Sequence, residues 1–350
     1  MSLRRSRRSL RRRGTAAAAL ALSAALAMTA CDAETSDKGK DGGAGSKSVA
    51  QGGKDFGKAG EQTKNMGTDA APGQFPRTVT HALGKTEIKT KPKRVVVLDV
   101  GELDNVVSLG IKPVGYAPSE GDAEIPGYLK KDAGDPKSVG TINGLNLEAI
   151  NNLHPDLILG SKLRAEKHYK NLSKIAPTVF SVRPGFTWKE NYLLNAAALD
   201  ETAKAKKNLA DYEAKAKKLG EDLGDKKPTI TMLRYMPQFT RLYAQKSFIG
   251  TVLKDVGLPR PKNQQADDLA VQIGPEKIDQ ADADWIFTGV YGNPDKTKRA
   301  AAEDNPLWKN LKAVKEGRAE NVKDETWYLG LGVTAANSVL DDLRAFLVKK

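Results

Sequence analysis

A chain of 350 residues, 39% of them hydrophobic, is long enough to build about two packed domains. Its formal net charge of +13 owes much to seven arginines crowded into residues 4–13, so the remainder is only mildly basic. No basic block interleaved with aromatics remains, which argues against nucleic acid, and one cysteine rules out a disulfide-stapled domain.

In chain order, the arginines are followed by a small, apolar run to residue 30, the two parts of an export signal. That run is too short to span a bilayer comfortably. The signal ends at Met28-Thr29-Ala30-Cys31, where the lone cysteine resembles a bacterial lipoprotein box. Lipidation there would supply the more than one acyl chain that stable anchoring needs. Residues 32–73 contain ten glycines and almost no large apolar side chains, so they are read as a tether.

Globular patterning begins near Phe75. Residues 93–100 form a nearly continuous apolar run, as in a buried parallel strand. A helix (102–109) and a strand (112–116) follow, then helix 147–153, strand 156–159, helix 165–174 and strand 178–181. Such alternation predicts a parallel sheet covered on both faces. Residues 188–199 favour helix, Asp200 can cap a second one, and residues 201–222 carry a stripe of Leu209, Tyr212, Ala216 and Leu219. About 22 helical residues would reach roughly 33 Å, a strut between two lobes. Strands at 228–234, 241–243, 284–288 and 319–322 alternate with helices at 248–256, 275–280, 307–315 and 335–348. The halves echo each other, since Glu148, Ile150, Asp156 and Ile158 recur as Glu276, Ile278, Asp284 and Ile286 at one fixed offset.

Histidines His81, His154 and His168 have no metal-ligand spacing, and no nucleophile elbow, phosphate loop or dinucleotide fingerprint appears. Binding is the better reading, because ligands of open parallel sheets sit at the carboxyl ends of the strands. Tyr116, Arg164, Arg183, Arg234, Tyr235, Trp327 and Tyr328 all follow or close predicted strands. Arginines offer oxygen anions a rigid fork of donors, and aromatics offer flat walls.

Several segments together resemble the iron–siderophore and vitamin B12 class of periplasmic-type binding proteins, the solute receptors of ABC importers. They are Lys91-Pro-Lys-Arg-Val-Val-Val-Leu98, Val139-Gly140, Asn146-Leu-Glu-Ala-Ile150, Pro155-Asp-Leu-Ile-Leu-Gly160, Tyr169 through Pro177, and Asn305-Pro-Leu-Trp308. The resemblance spans about residues 77–350. It implies an α/β fold of two Rossmann-like lobes joined by one long helix, with little closure on binding. The expected division is signal peptide 1–30, tether 31–76, first lobe 77–187, linking helices 188–223 and second lobe 224–350.

The implied function is a lipid-anchored, monomeric receptor that binds a ferric siderophore, with the hydroxamate type favoured, and delivers it to an ABC permease. The siderophore wraps the iron, so neither an intrinsic cofactor nor a protein-bound metal is expected, and the protein is not an enzyme. Arg234, Trp327 and Tyr328 match family contact positions; Arg164 stands where the family has an aromatic, and Ile142 replaces a family arginine. One carboxylate per lobe would dock the permease, with Glu166 and Glu303 in those places. A haem or corrinoid receptor, with Tyr116 or Tyr235 as axial ligand, and a cell-surface adhesion module are the alternatives.

Overall fold

The computed structural model describes residues 56–119 and 125–348. Cys31 and the export signal lie outside the described residues, as does most of the stretch read as a tether. Within the described residues, no helix is long and apolar enough to cross a membrane.

An entry hairpin joins β1 (Arg77–His81) to β2 (Gly84–Ile88). In the first lobe the strands are β3 (Val95–Val97), β4 (Gly115–Tyr116), β5 (Lys137–Ser138), a small hairpin of β6 (Gly140–Thr141) and β7 (Gly144–Leu145), β8 (Leu157–Ser161) and β9 (Thr178–Ser181). Its main sheet runs β5-β4-β3-β8-β9 and is parallel throughout. Such strands are buried on both faces, which is why β3, β8 and β9 are buried at every position.

The second lobe contributes β10 (Ile230–Tyr235), β11 (Thr240–Tyr243), β12 (Ala270–Ile273), β13 (Trp285–Val290) and β14 (Ala319–Asn321), in the order β12-β11-β10-β13-β14. The expected parallel core is present, with an antiparallel addition at one edge. β10, β13 and β14 are parallel, but β11 is antiparallel to both β10 and β12. Only residues 236–239 separate β10 from β11, too few for the crossover that a parallel pair needs. The internal echo has a structural counterpart. Asp156 accepts the backbone N–H groups of Lys93 and Arg94, both at 2.9 Å, and Asp284 accepts that of Thr229 at 2.8 Å. Each aspartate pins the start of one central strand to the start of its neighbour.

The strut is two helices, Trp188–Leu199 and Thr202–Asp222. The expected stripe of Leu209, Tyr212, Ala216 and Leu219 is buried. Gly220 lets this helix approach the Phe248–Val256 helix, because a Cβ there would lie 2.4 Å from the Val256 carbonyl oxygen. Asp200 does not cap the second helix. It takes a left-handed conformation (φ 60°) that ends the first, and its carboxylate instead receives the Gly73 N–H and the Arg77 guanidinium. Asp200 can do this because a short acidic side chain tolerates the left-handed region.

Regular structure is already present ahead of Phe75. A helix at Ala59–Lys64 buries Ala59 and Thr63, and Gly67 pairs with Thr80. Residues 56–76 therefore pack on the first lobe rather than extending the tether to residue 76.

One apolar core runs through both lobes, from Val95 and Leu103 through Trp188 and Tyr212 to Trp327 and Leu340, with a separate outer core in each lobe. Asp104 of the first lobe adds a polar tie. It is fully buried and accepts the N–H groups of Thr334 and Ala335, both at 3.0 Å, at the start of the Val333–Leu347 helix. Gly332 precedes that helix and has no side chain to cap it, so a residue of the other lobe does so. Gly127 reaches Glu325 across the same junction at 3.0 Å.

Candidate cleft between the lobes

The carboxyl ends of the parallel strands collect the polar residues of both lobes. In the first, Asp99 lies just past β3 and starts the Val100–Ser108 helix. One carboxylate oxygen accepts the Val100 N–H at 2.8 Å and the other takes the Arg164 Nε at 3.0 Å. Arg164, which follows β8, is thus held against the segment that follows β3. Arg183 lies just past β9 and is buried, with its guanidinium 4.3 Å from the Phe56 ring centroid and 5.7 Å from that of Phe186. Burial lowers its pKa to about 10, with nearby Arg164 adding to the shift and Asp268 opposing it, so it stays charged at neutral pH.

Glu102, on the first turn beyond Asp99, is buried and its Oε2 has no hydrogen-bond partner. Burial, and then the charge of Asp99, push its pKa up to about 8, against the pull of its own backbone N–H and of Arg164. The folded state therefore holds this proton more tightly than the unfolded state, whose ordinary value is 4.5. The stability contributed is present below that value and is lost as pH rises towards 8. Glu102→Gln should accordingly melt at progressively higher temperature relative to wild type between about pH 5 and pH 8.5. A difference that does not change with pH would contradict a buried, protonated Glu102.

In the second lobe, Arg234 is the penultimate residue of β10 but does not face solvent. It is 3% exposed, donates from Nε to Asp324 at 2.6 Å, and gives Asp324 a second bond from Nη2. Its Nη1 lies 3.4 Å from the Tyr243 hydroxyl, and its guanidinium carbon is 4.9 Å from the Tyr291 ring and 5.8 Å from that of Tyr328. Gly289, opposite Arg234 on β13, leaves the room, since a Cβ there would lie 2.4 Å from the Tyr328 ring. Arg241 is the cross-strand partner of Arg234 on β11, which places both arginines on one face of the sheet.

Four of the other expected contacts are packing residues. Tyr116 is buried in the shared core. Tyr235 points to the opposite face from Arg234 because side chains alternate along a strand, and it packs edge-on to Trp308 in the outer core. Trp327 is fully buried against Phe287 at 4.9 Å and donates its indole N–H to Asp342 at 2.8 Å. Tyr328 is buried with its hydroxyl donating to the carbonyls of Leu233 and Phe287, so it supports Arg234 from behind. Of the two carboxylates expected to dock a permease, Glu166 is exposed at the start of a short 3₁₀ turn. Glu303 ends the Arg299–Glu303 helix rather than starting one, and is paired with Arg299 at 3.1 Å.

Sequence reasoning missed Asp99, Tyr291, Asp324, Phe56 and Phe186. Asp99 and Tyr291 stand directly beyond strand ends, so the rule that flagged Arg183 would have found them. Phe56 carries no such signal, because it lies in glycine-rich sequence.

Among the described residues, no group of three His, Cys, Asp or Glu side chains is placed to hold a metal ion. What the arrangement offers is paired guanidinium groups and aromatic faces from two lobes. The periplasmic binding protein family matches residues 95–325, and this decides the class. The chain is a member of the periplasmic binding protein family.

This family binds solutes rather than transforming them. A probable siderophore-binding lipoprotein of Bacillus subtilis, YfiY, is 39% identical over 287 residues, covering 78% of this chain and 88% of its own length. The Fe(3+)-citrate-binding protein YfmC of the same organism is 32% identical, covering 80% and 88% respectively. Staphylococcus aureus SirA, solved in complex with staphyloferrin B, is similar in structure with a TM-score of 0.69. It is 35% identical, covering 77% of this chain and 98% of its own.

Proposed function

We propose that this receptor captures an anionic ferric siderophore between its lobes and passes it to an ABC permease. The observation that carries the reading is the set of arginines near the strand ends of both lobes, Arg164 and Arg183 on one side and, on the other, Arg241 beside the Asp324-paired Arg234. Guanidinium groups give charge-assisted hydrogen bonds to anionic oxygens, and such bonds are about twice as strong as neutral ones. A chelate of ferric iron by carboxylates or catecholates keeps a net negative charge. A ferric trihydroxamate is neutral and gains less from these groups, so the arginines favour an anionic chelate over the hydroxamate expected from the sequence. The likeness to YfiY, a probable siderophore-binding lipoprotein, and to YfmC, an Fe(3+)-citrate-binding protein, supports the same class. Haem finds less support, since Tyr116 and Tyr235 are buried in cores and do not present axial ligands to a cleft.

The test is a fluorescence titration of the mature protein with ferric citrate, a ferric catecholate, a ferric trihydroxamate, haem and cobalamin. Tight binding confined to an anionic ferric chelate is expected. Preference for haem or cobalamin would replace the ligand class, and no binding at all would favour an adhesion module.

Attachment through a lipidated Cys31 would hold the receptor on the extracytoplasmic face of the membrane. Cys31→Ala should then appear in the medium instead of the membrane fraction, and a variant still membrane-bound after a salt wash would end that reading. Docking would use exposed Glu166 on the first lobe and the Glu303–Asp304 corner on the second, where Asp304 is the more exposed of the pair.

A further inference from the structure

The stretch that enters the first lobe makes a contact that tether composition does not require. Phe56 packs edge-on against Phe186, with ring centroids 5.3 Å apart. The guanidinium of Arg183 lies over the Phe56 ring at 4.3 Å, and Phe186 is 5.7 Å away. Lys246 of the second lobe, whose ammonium is fixed by Asp267 at 2.6 Å, stands 5.8 Å from Phe56 and 5.9 Å from Phe186. The two rings therefore have a cation from each lobe within 6 Å. Phe56 is kept in place by the helix that follows it, because Ala59 and Thr63 are buried and the Cβ direction of Gly60 meets the Phe186 ring at 3.5 Å.

We propose that Phe56 is a positioning residue of the ligand cleft, clamping Arg183 with Phe186 so that its in-plane donors are aimed at an anionic ligand. A guanidinium donates hydrogen bonds only in its plane, so an aromatic ring on its face fixes that plane without taking up a donor. Nε already donates to the Pro184 carbonyl at 3.2 Å, which fixes rotation within the plane. An arginine so held loses less freedom when it binds than one free to sample its rotamers. Burial leaves Arg183 charged at neutral pH, as this role requires. The inference rests on the reading above that Arg183 serves an anionic ligand, and it makes residues 56–64 part of the receptor rather than of its tether.

The experiment compares Phe56→Ala, Phe56→Tyr, Arg183→Ala and the Phe56→Ala/Arg183→Ala double variant in the full mature chain. Ferric citrate is the probe for affinity, and reactivity of Arg183 toward phenylglyoxal, mapped by mass spectrometry, needs no ligand. Thermal melts check that each variant is folded. Phe56→Ala should weaken ferric citrate binding by about 3- to 10-fold, as expected for loss of one cation–π contact. It should also raise the modification of Arg183 several-fold. Phe56→Tyr should restore both, and the double variant should bind no worse than Arg183→Ala alone. Unchanged Arg183 reactivity in Phe56→Ala overturns the clamp whether or not ferric citrate binds. Equal losses from Phe56→Ala with and without Arg183 overturn it too, since Phe56 would then act independently. An Arg183→Ala variant of wild-type affinity would instead remove Arg183 from the ligand site, while the reactivity result would still judge the clamp.

Discussion

Arg234→Ala is expected to destabilise the second lobe by about 3–5 kcal/mol, the usual cost of removing one partner of a buried ion pair. The sequence alone marked it as a ligand contact at a strand end. In the fold its guanidinium is 3% exposed and forks onto Asp324, with Tyr291, Tyr243 and Tyr328 around it. Alanine would leave the Asp324 carboxylate without that fork in a largely dry site, and would open a space between aromatic rings. For a domain of this size the melting temperature should fall by roughly 10 °C. Lysine should recover only part of the loss, because a point charge cannot meet both carboxylate oxygens as a planar fork does. Ligand affinity should fall as well, so calorimetry must accompany any titration. An unchanged melting temperature would show that the Arg234–Asp324 pair does not hold the lobe.

Asp104→Ala should have the next largest effect, and it acts on the junction between the lobes. Its carboxylate is the acceptor for two N–H groups at the start of the final helix, where Gly332 supplies no cap of its own. Burial raises its pKa to about 6, with the Thr334 and Ala335 N–H groups pulling it back down, so it remains mostly ionised at neutral pH. Losing a charged acceptor and stranding two buried donors should cost about 2–4 kcal/mol. The variant should also loosen one lobe against the other, visible as faster hydrogen exchange at Thr334 and Ala335 and in the Val100–Ser108 helix. Unaltered exchange at those amides would mean that the shared apolar core alone fixes the lobes. Asp104→Asn is a useful companion, since it keeps the shape but turns an amide donor toward one of the N–H groups.

The alternation of apolar runs and helices made the two lobes legible, because buried parallel strands such as β3 and β9 are apolar along their length. The strut was legible too, through its stripe of Leu209, Tyr212, Ala216 and Leu219. β12 was not, for of its residues Ala270 to Ile273 only Ile273 is buried, and Gln272 is exposed. Pairing direction was hidden for another reason: it depends on the length of the 236–239 turn rather than on strand composition.

At the site, position relative to a strand end singled out Arg164 and Arg183, which the fold places just past β8 and β9. The same rule misled at Tyr235, Trp327 and Tyr328, because proximity to a strand end does not say which face a side chain takes. Arg234 shows the remaining gap. Its charge read as a ligand contact, but its partner Asp324 lies 90 residues further on and becomes a neighbour only through β13 and β14.

The most direct measurement is an anomalous difference map at the iron edge, from crystals grown with the anionic ferric chelate that binds most tightly. A receptor that works as proposed will show one iron peak between the lobes, with the chelate's oxygens within hydrogen-bonding reach of arginines from both sides, Arg183 among them. A peak on an outer face, or one contacted by a single lobe and no arginine, would contradict it.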